Sequence, residues 1–110
     1  MHWKKEEISV SGIRISINDK EGVEVGRAFL YIMKNDLHQR PFGFMEDVYV
    51  KKNARGKGIG KKLIQKVIKT AQEKNCYKLV ATSRHSREKV HFMYEKFGFY
   101  DQGVEFRMNF

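Results

Sequence analysis

The spacing of apolar residues changes at Lys51. Before that residue, apolar and polar side chains alternate, as from Ile13 to Ile17, and this period of two predicts β-strands. From Leu63 onwards, apolar residues recur at helical spacing, with lysines on the other side. Because 110 residues suffice for one core, the sequence predicts a single domain of the α+β class over residues 1–110.

The first half predicts a three-stranded antiparallel meander. The first strand includes Ile13 to Ile17 and ends at Asn18–Gly22, which has the composition of a turn. A second strand is predicted from about Val23 to Met33, with Gly26 at a bulge. A third strand, Phe42–Val50, follows a polar loop.

The second half predicts two helices and two further strands. Asn75 is a candidate left-handed stop for the first helix, and Leu79–Thr82 is a short, apolar, buried strand. The second helix is predicted over Ser86–Phe97, with Ser86 and Gly98 as its caps. Alternation over Val104–Phe110 predicts a last strand. The expected fold is a mixed, mostly antiparallel sheet with two major helices.

Nearly all of the excess charge lies in one block. The chain has a net charge of +9, and residues 51–75 contain nine basic and one acidic side chain, a net charge of +8. Such a block indicates a surface for a nucleic acid, an acidic membrane or a phosphorylated ligand, or else a solvated helix face. The single cysteine, Cys76, excludes an internal disulfide, and no apolar run is long enough to span a bilayer. We therefore expect a cytoplasmic protein.

A glycine-rich stretch joins the third strand to the first helix. Gly56, Gly58 and Gly60 alternate with other residues, which allows close approach of a bulky anion to backbone N–H groups and to a helix N-terminus. A diphosphate is the expected guest. A P-loop would need Ser or Thr after Lys57, where Gly58 stands, and a dinucleotide fold would need parallel strands.

Three motifs resemble those of the GNAT superfamily of acyl-CoA-dependent N-acetyltransferases, and they follow one another along the chain in the family's order. Arg55–Gly60 matches the signature Arg/Gln-x-x-Gly-x-Gly/Ala, and Phe92–Phe99 is similar to the late aromatic-Tyr-x-Lys/Arg-x-Gly-aromatic run. Met45–Val50 is similar to the Glu-Asp-hydrophobe-aromatic-Val run of the polyamine and diamine acetyltransferase branch. The resemblance covers about residues 42–110. It implies a GNAT-like sheet in which the usual N-terminal strand-helix-helix segment is missing or reduced.

The resemblance also implies an activity and a set of donor contacts. The implied reaction transfers acetyl from acetyl-CoA to a primary amine, directly within a ternary complex. Val48, Tyr49 and Val50 would pair with the pantetheine arm, and Arg87 and Lys89 would bind the far end of the donor. The diphosphate would be held by Arg55, Gly56, Lys57, Gly58, Ile59, Gly60 and Lys61. A short acceptor side makes a homodimer the expected assembly.

Two residues are candidates for proton transfer. Glu46 is the candidate base, since alternation places it with Phe44, Val48 and Val50, and apolar neighbours increase the basicity of a carboxylate. Tyr94, in the late motif, is the candidate acid toward the departing sulfur. No metal site is predicted.

Two other functions remain open at this point. A GNAT-like domain could bind or sense acyl-CoA without turnover. Alternatively, the basic block could bind nucleic acid, although few aromatic residues interleave with its lysines. We expect no membrane partner.

Overall fold

A computed structural model describes residues 1–110, with four strands and two α-helices. A short 3-10 turn, Lys52–Ala54, connects the third strand to the glycine-rich stretch. In chain order the elements are β1 (Ser11–Asn18), β2 (Glu24–Met33), β3 (Phe42–Val50), α1 (Ile59–Glu73), β4 (Leu79–Ala81) and α2 (Glu88–Lys96).

The strands form one mixed sheet in the order β1-β2-β3-β4. The two hairpin pairs are antiparallel, and β3 pairs with β4 in parallel. The parallel ladder is short, joining only Gly43–Met45 to Leu79–Ala81. Beyond Met45, β3 therefore has no strand neighbour on its β4 side. The predicted α+β fold with a mixed sheet and two helices is confirmed.

The core lies between the sheet and the apolar face of α1. Helical spacing brings Leu63, Ile64, Val67 and Ala71 to one side of that helix, and all four are buried. Lysines occupy the exposed side, so burial of one helical face fixes the direction in which the basic block points. The central cluster comprises Ala28, Leu30, Met45, Ile64, Val67 and Ala71.

Both helices end in a Schellman motif, in which a left-handed residue lets two backbone N–H groups bond back to the last turn. In α1, Asn75 has φ +61°, and the N–H groups of Asn75 and Cys76 donate to the carbonyls of Gln72 and Ala71. In α2 the left-handed residue is Gly98, at φ +102°. Both predicted stops are confirmed. The predicted start of α2 is wrong by one residue, because Arg87 occupies the N-cap and no side chain caps it.

The predicted last strand is wrong. Residues 101–110 are exposed and lie in no strand, and Phe106 and Phe110 are almost fully accessible. Alternation of apolar and polar side chains indicates two faces, but a strand also needs a neighbouring strand to form hydrogen bonds with its backbone N–H and C=O groups. No partner strand lies beside this segment.

The sheet has two irregularities. The register between β1 and β2 shifts by one residue at Glu24–Gly26, which is where the sequence predicted a bulge at Gly26. A second shift, which the sequence did not predict, leaves Asp47 and Val48 together opposite Ala28 of β2. Asp47 has φ +51°, in the left-handed region.

The bulge in β3 changes which side chains share a face. Val48 packs against the core, on the same side as Met45. Glu46 and Tyr49 pair with Phe29 and Arg27 of β2 on the other side. The expectation that Glu46 shares its face with Val48 and Val50 is therefore wrong, because one inserted residue reverses the alternation after it.

Candidate active site

A cavity of about 1070 Å³ opens where β3 and β4 stop pairing. One wall is β3, and the other is the loop after β4 together with the start of α2. Two residues of the C-terminal segment, Glu105 and Arg107, complete the lining. The remaining lining residues are Phe44, Met45, Glu46, Asp47, Val48, Thr82, Ser83, Arg84, His85, Arg87, Val90 and Tyr94.

The two candidate proton-transfer residues line this same cavity, although they are far apart in the sequence. Glu46 comes from the strand wall, where its side chain is exposed. Tyr94 comes from α2 and is half-buried. The apolar surroundings expected of Glu46 are thus only partial, because the bulge removes Val48 from its face.

Tyr94 is positioned by the end of its own helix. The N–H of Phe99 donates to the Tyr94 carbonyl at 3.1 Å, and the two rings pack at a centroid distance of 5.3 Å. This apolar contact is the usual companion of a Schellman motif. Burial raises the pKa of the Tyr94 phenol, and the charge of Arg87 partly opposes that rise in pKa. The phenol therefore stays protonated beyond the pH at which free tyrosine ionises.

The open edge of β3 comprises the predicted pantetheine contacts, Val48 to Val50. Tyr49 is exposed, and two guanidinium groups lie over its ring, that of Arg27 at 5.1 Å and that of Arg55 at 5.6 Å. The Nε of Arg55 also donates to the Val50 carbonyl at 2.9 Å. Arg55, predicted only as an anion contact, thus also braces the end of β3.

The glycine-rich turn leaves open space above its backbone. Gly56 and Gly58 have φ of +81° and +78°, and a Cβ on either would meet no atom within 4 Å. Gly58 is the N-cap of α1 and supplies no side-chain hydrogen bond, so the first N–H groups of the helix point outward. Lys57 and Lys61 are exposed beside them. A helix N-terminus of this kind with flanking cations is an anion site.

The remaining residues of the turn face inward. The Cγ2 of Ile59 lies 3.1 Å from where a Cβ on Gly26 would stand, so Ile59 closes the turn against the sheet. A Cβ on Gly60 would contact Val50 at 3.7 Å, an ordinary packing distance. The turn is therefore fixed to the end of β3 and β2 beneath it.

The two predicted donor contacts on α2 separate in the structure. Arg87 lines the cavity, whereas Lys89 is exposed and does not. Sequence reasoning missed two further cavity arginines, Arg84 and Arg107, because nothing in a sequence pairs a loop with a C-terminal segment. Ser83 has an Oγ that is buried without a hydrogen-bond partner.

The family model of the acetyltransferase (GNAT) family matches residues 4–99. The chain belongs to the GNAT family. The resemblance drawn from the three motifs is thereby confirmed, and it extends over most of the chain rather than from residue 42 alone.

Curated and solved relatives agree with this assignment. The GNAT domain is 38% identical over 90 residues to glucosamine 6-phosphate N-acetyltransferase of Candida albicans, covering 81% of this chain and 58% of that protein. It superposes on a Trypanosoma brucei acetyltransferase with a TM-score of 0.82 at 31% identity, covering 90% and 69% of the two chains. Glucosamine-6-phosphate N-acetyltransferase of Arabidopsis thaliana shares the fold, with a TM-score of 0.81 at 24% identity over 90% and 67%.

The chain spans little more than half of the length of these curated relatives. It spans 58% of the Candida albicans protein and 57% of the Trypanosoma brucei glucosamine 6-phosphate N-acetyltransferase, to which it is 37% identical over 87 residues, 78% of this chain. No helix of the domain is both long and apolar enough to cross a membrane.

Proposed function

We propose that this GNAT domain transfers acetyl from acetyl-CoA to a primary amine, directly within a ternary complex. The observation behind the proposal is a cavity lined by Glu46 and Tyr94, beside an open strand edge that leads to an uncapped helix N-terminus. The relatives named as N-acetyltransferases support the same reaction.

The donor would lie along β3 and over the glycine turn. Its pantetheine arm would pair with the backbone of Val48, Tyr49 and Val50, which has no strand neighbour on its β4 side. Its diphosphate would be bound by the exposed N–H groups and cations of the turn. Arg87 and Lys89 would contact the donor on the α2 side. The turn residues concerned are Arg55, Gly56, Lys57, Gly58, Ile59, Gly60 and Lys61.

The chemistry requires a proton acceptor for the amine and a proton donor for the departing sulfur. The amine arrives protonated, with a pKa of about 10, and must lose a proton before its nitrogen can attack. Glu46 would accept that proton, directly or through water. A C–N bond then forms at the thioester carbon, an N–H group of the β3 edge would stabilise the developing oxyanion, and the C–S bond breaks. Tyr94 would donate its proton to the departing sulfur. The new amide nitrogen must still lose one proton, which would return to Tyr94 directly or through water, while Glu46 releases its proton to solvent.

The acceptor would carry an anionic group as well as an amine. Arg84 and Arg107, which have no part in the proposed donor contacts, line the same cavity as Glu46, so the cavity offers partners for an anion as well as for a cation. Arginine forks suit phosphate and carboxylate groups. Glucosamine 6-phosphate, in the names of the relatives, has this combination of charges.

Calorimetric titration of acetyl-CoA into Gly58→Val tests the donor site. A branched side chain at Gly58 would fill the space above the turn, and we expect affinity to fall by at least about tenfold, or ~1.4 kcal/mol. Gly22→Val is the matched control, since Gly22 has φ +83° and equally open surroundings, in the hairpin turn between β1 and β2. Equal affinity in the two folded variants would refute the donor site.

Three further properties belong to the proposal. The domain would comprise residues 1–110, and it would act as a homodimer that covers the exposed apolar side chains of Val104, Phe106, Met108 and Phe110. It would act in the cytoplasm, where the free thiol of Cys76 stays reduced.

A further inference from the structure

Asp47 holds a left-handed backbone conformation inside a strand, which is uncommon for any residue with a Cβ, although aspartate adopts it more readily than most. It is one of two non-glycine residues with positive φ, the other being Asn75 at a helix stop. Left-handed geometry is uncommon for residues with a Cβ and persists where neighbouring groups enforce it. At Asn75 the Schellman motif enforces it. Asp47, inside a strand, needs a different support.

That support comes from the neighbouring strand. Arg27, on β2, donates from Nη1 to the Asp47 carbonyl at 2.9 Å. The same guanidinium lies over the Tyr49 ring at 5.1 Å and near the Phe29 ring at 5.9 Å. Arg27 therefore spans the bulge, bonded at its first residue and stacked on the ring that follows it.

A second arginine braces the other end of the same segment. Arg55 also lies over the Tyr49 ring, at 5.6 Å, and donates to the Val50 carbonyl at 2.9 Å. Tyr49 thus connects Arg27, at the bulge, to Arg55, at the start of the glycine turn. Movement at the bulge would pass to the turn through this stack.

The bulge decides what the strand presents to the cavity. It puts Met45 and Val48 on the core face of the sheet and Glu46 and Tyr49 on the other face, while Met45, Glu46 and Val48 all line the cavity. Without the inserted residue, alternation would carry either Glu46 or Tyr49 to the wrong face, because a slip of one residue reverses every side chain. Holding the bulge therefore holds Glu46 and the open edge in one arrangement.

We propose that Arg27 is a positioning residue, which keeps the β3 bulge in register so that Glu46 meets the acceptor amine while the Val48–Val50 edge binds the donor. This role rests on the proposed acetyl transfer. Arginine suits it because one planar group both donates to a carbonyl and stacks on a ring, which lysine cannot do together.

A double-mutant cycle tests the role. Arg27→Met removes the hydrogen bond and the stacked charge but keeps length, and we expect kcat/KM for acetyl-CoA to fall ~10–100-fold, the scale of a misplaced reacting group. Asp47→Gly relieves the disfavoured φ, because glycine adopts left-handed geometry readily. In the Asp47→Gly background, Arg27→Met should therefore cost less than about threefold, which makes the two changes strongly coupled.

Two more variants sharpen the result. Arg14→Met is the matched control, because Arg14 also lies over Phe29, at 5.8 Å, but pairs with Glu24 away from the bulge. It should change kcat/KM by less than about twofold. Arg27→Lys keeps a donor for the Asp47 carbonyl without the stack, and its activity should lie between those of the wild type and Arg27→Met. If Arg27→Met does not fold, the cycle is run with Arg27→Lys.

The outcomes separate this role from the proposed function. An equal loss in the two backgrounds, or wild-type kinetics in Arg27→Met, overturns the positioning role while acetyl transfer stands. A wild-type protein that neither binds acetyl-CoA nor acetylates any amine overturns both. Loss that shrinks in the Asp47→Gly background, with Arg14→Met unaffected, supports the role.

Discussion

At the scale of single residues, the environment of Tyr94 suits a proton donor better than a proton acceptor. Burial raises the pKa of its phenol, so the neutral form persists to higher pH than in free tyrosine. The neighbouring Arg87 opposes this rise in pKa only in part, so the phenol still carries a transferable proton in the cavity.

Tyr94→Phe should lower kcat by ~10²-fold or more and leave acetyl-CoA affinity almost unchanged, since only the hydroxyl is lost. The wild-type kcat should also fall at a pH above about 10, the ordinary tyrosine value, because the pKa of Tyr94 is raised. The free energy of unfolding should also fall over this pH range, because the phenol of the unfolded chain ionises at a lower pH than that of the folded protein. Stopped-flow and calorimetric measurements check both points. Retention of half the activity with chemistry rate-limiting would exclude the acid role.

Glu46→Gln should weaken turnover most at low pH, where unassisted loss of the amine proton is rarest. The expected loss is again on the order of 10²–10⁴-fold for a general base. Glu105→Gln is the control, as a second carboxylate that lines the cavity without a part in the proposed proton transfer. If the two variants give the same pH-rate profile, the amine loses its proton to another group.

At the scale of elements, substitutions at the left-handed residues of the two Schellman motifs should change the free energy of unfolding in opposite directions. Asn75→Gly should raise the free energy of unfolding by about 0.5 kcal/mol, because glycine adopts the left-handed position more readily. Gly98→Ala should lower it by about 1–2 kcal/mol, the cost of a Cβ in that conformation. Urea denaturation measures both.

The two motifs also differ in what lies next to them. Gly98→Ala should disturb turnover as well as stability, since the motif in α2 positions Tyr94, whereas Asn75→Gly should leave kinetics unchanged. Equal kinetic effects would mean that the helix stop does not control the side chain.

The elements divide into those that the sequence could predict and those that it could not. The strands β1 to β4, both helices and both helix stops follow from apolar periodicity and from residues such as Asn75 and Gly98, and the glycine turn follows from its motif. The same alternation over Val104–Phe110 predicted a strand that does not form, because periodicity does not supply a partner strand. The bulge at Asp47 has no local signal, because it arises from pairing between β2 and β3. The same reason hides Arg27 and Arg107, whose contacts depend on partners far along the chain.

At the scale of the whole molecule, apolar side chains of the C-terminal segment remain exposed. Light scattering should give a mass near twice the 13.0 kDa of one chain. Phe106→Glu should shift the mass towards the monomer, because it puts a charge among the side chains to be covered. Leu37→Glu, at an equally exposed apolar residue in a distant loop, should not. A monomer in the wild type at assay concentrations would contradict the homodimer.

The short ladder between β3 and β4 has an evolutionary consequence. Pairing stops at Met45 and Ala81, and the cavity exists because the two strands then part. Substitutions at Thr82 or Ser83 that favoured further pairing would add backbone hydrogen bonds between β3 and β4 and would close the cavity between them. Selection for donor binding therefore opposes selection for a more stable sheet at these two positions. A library sorted for thermal stability alone should enrich closed, inactive variants there, while one sorted for turnover should keep the ladder three residues long.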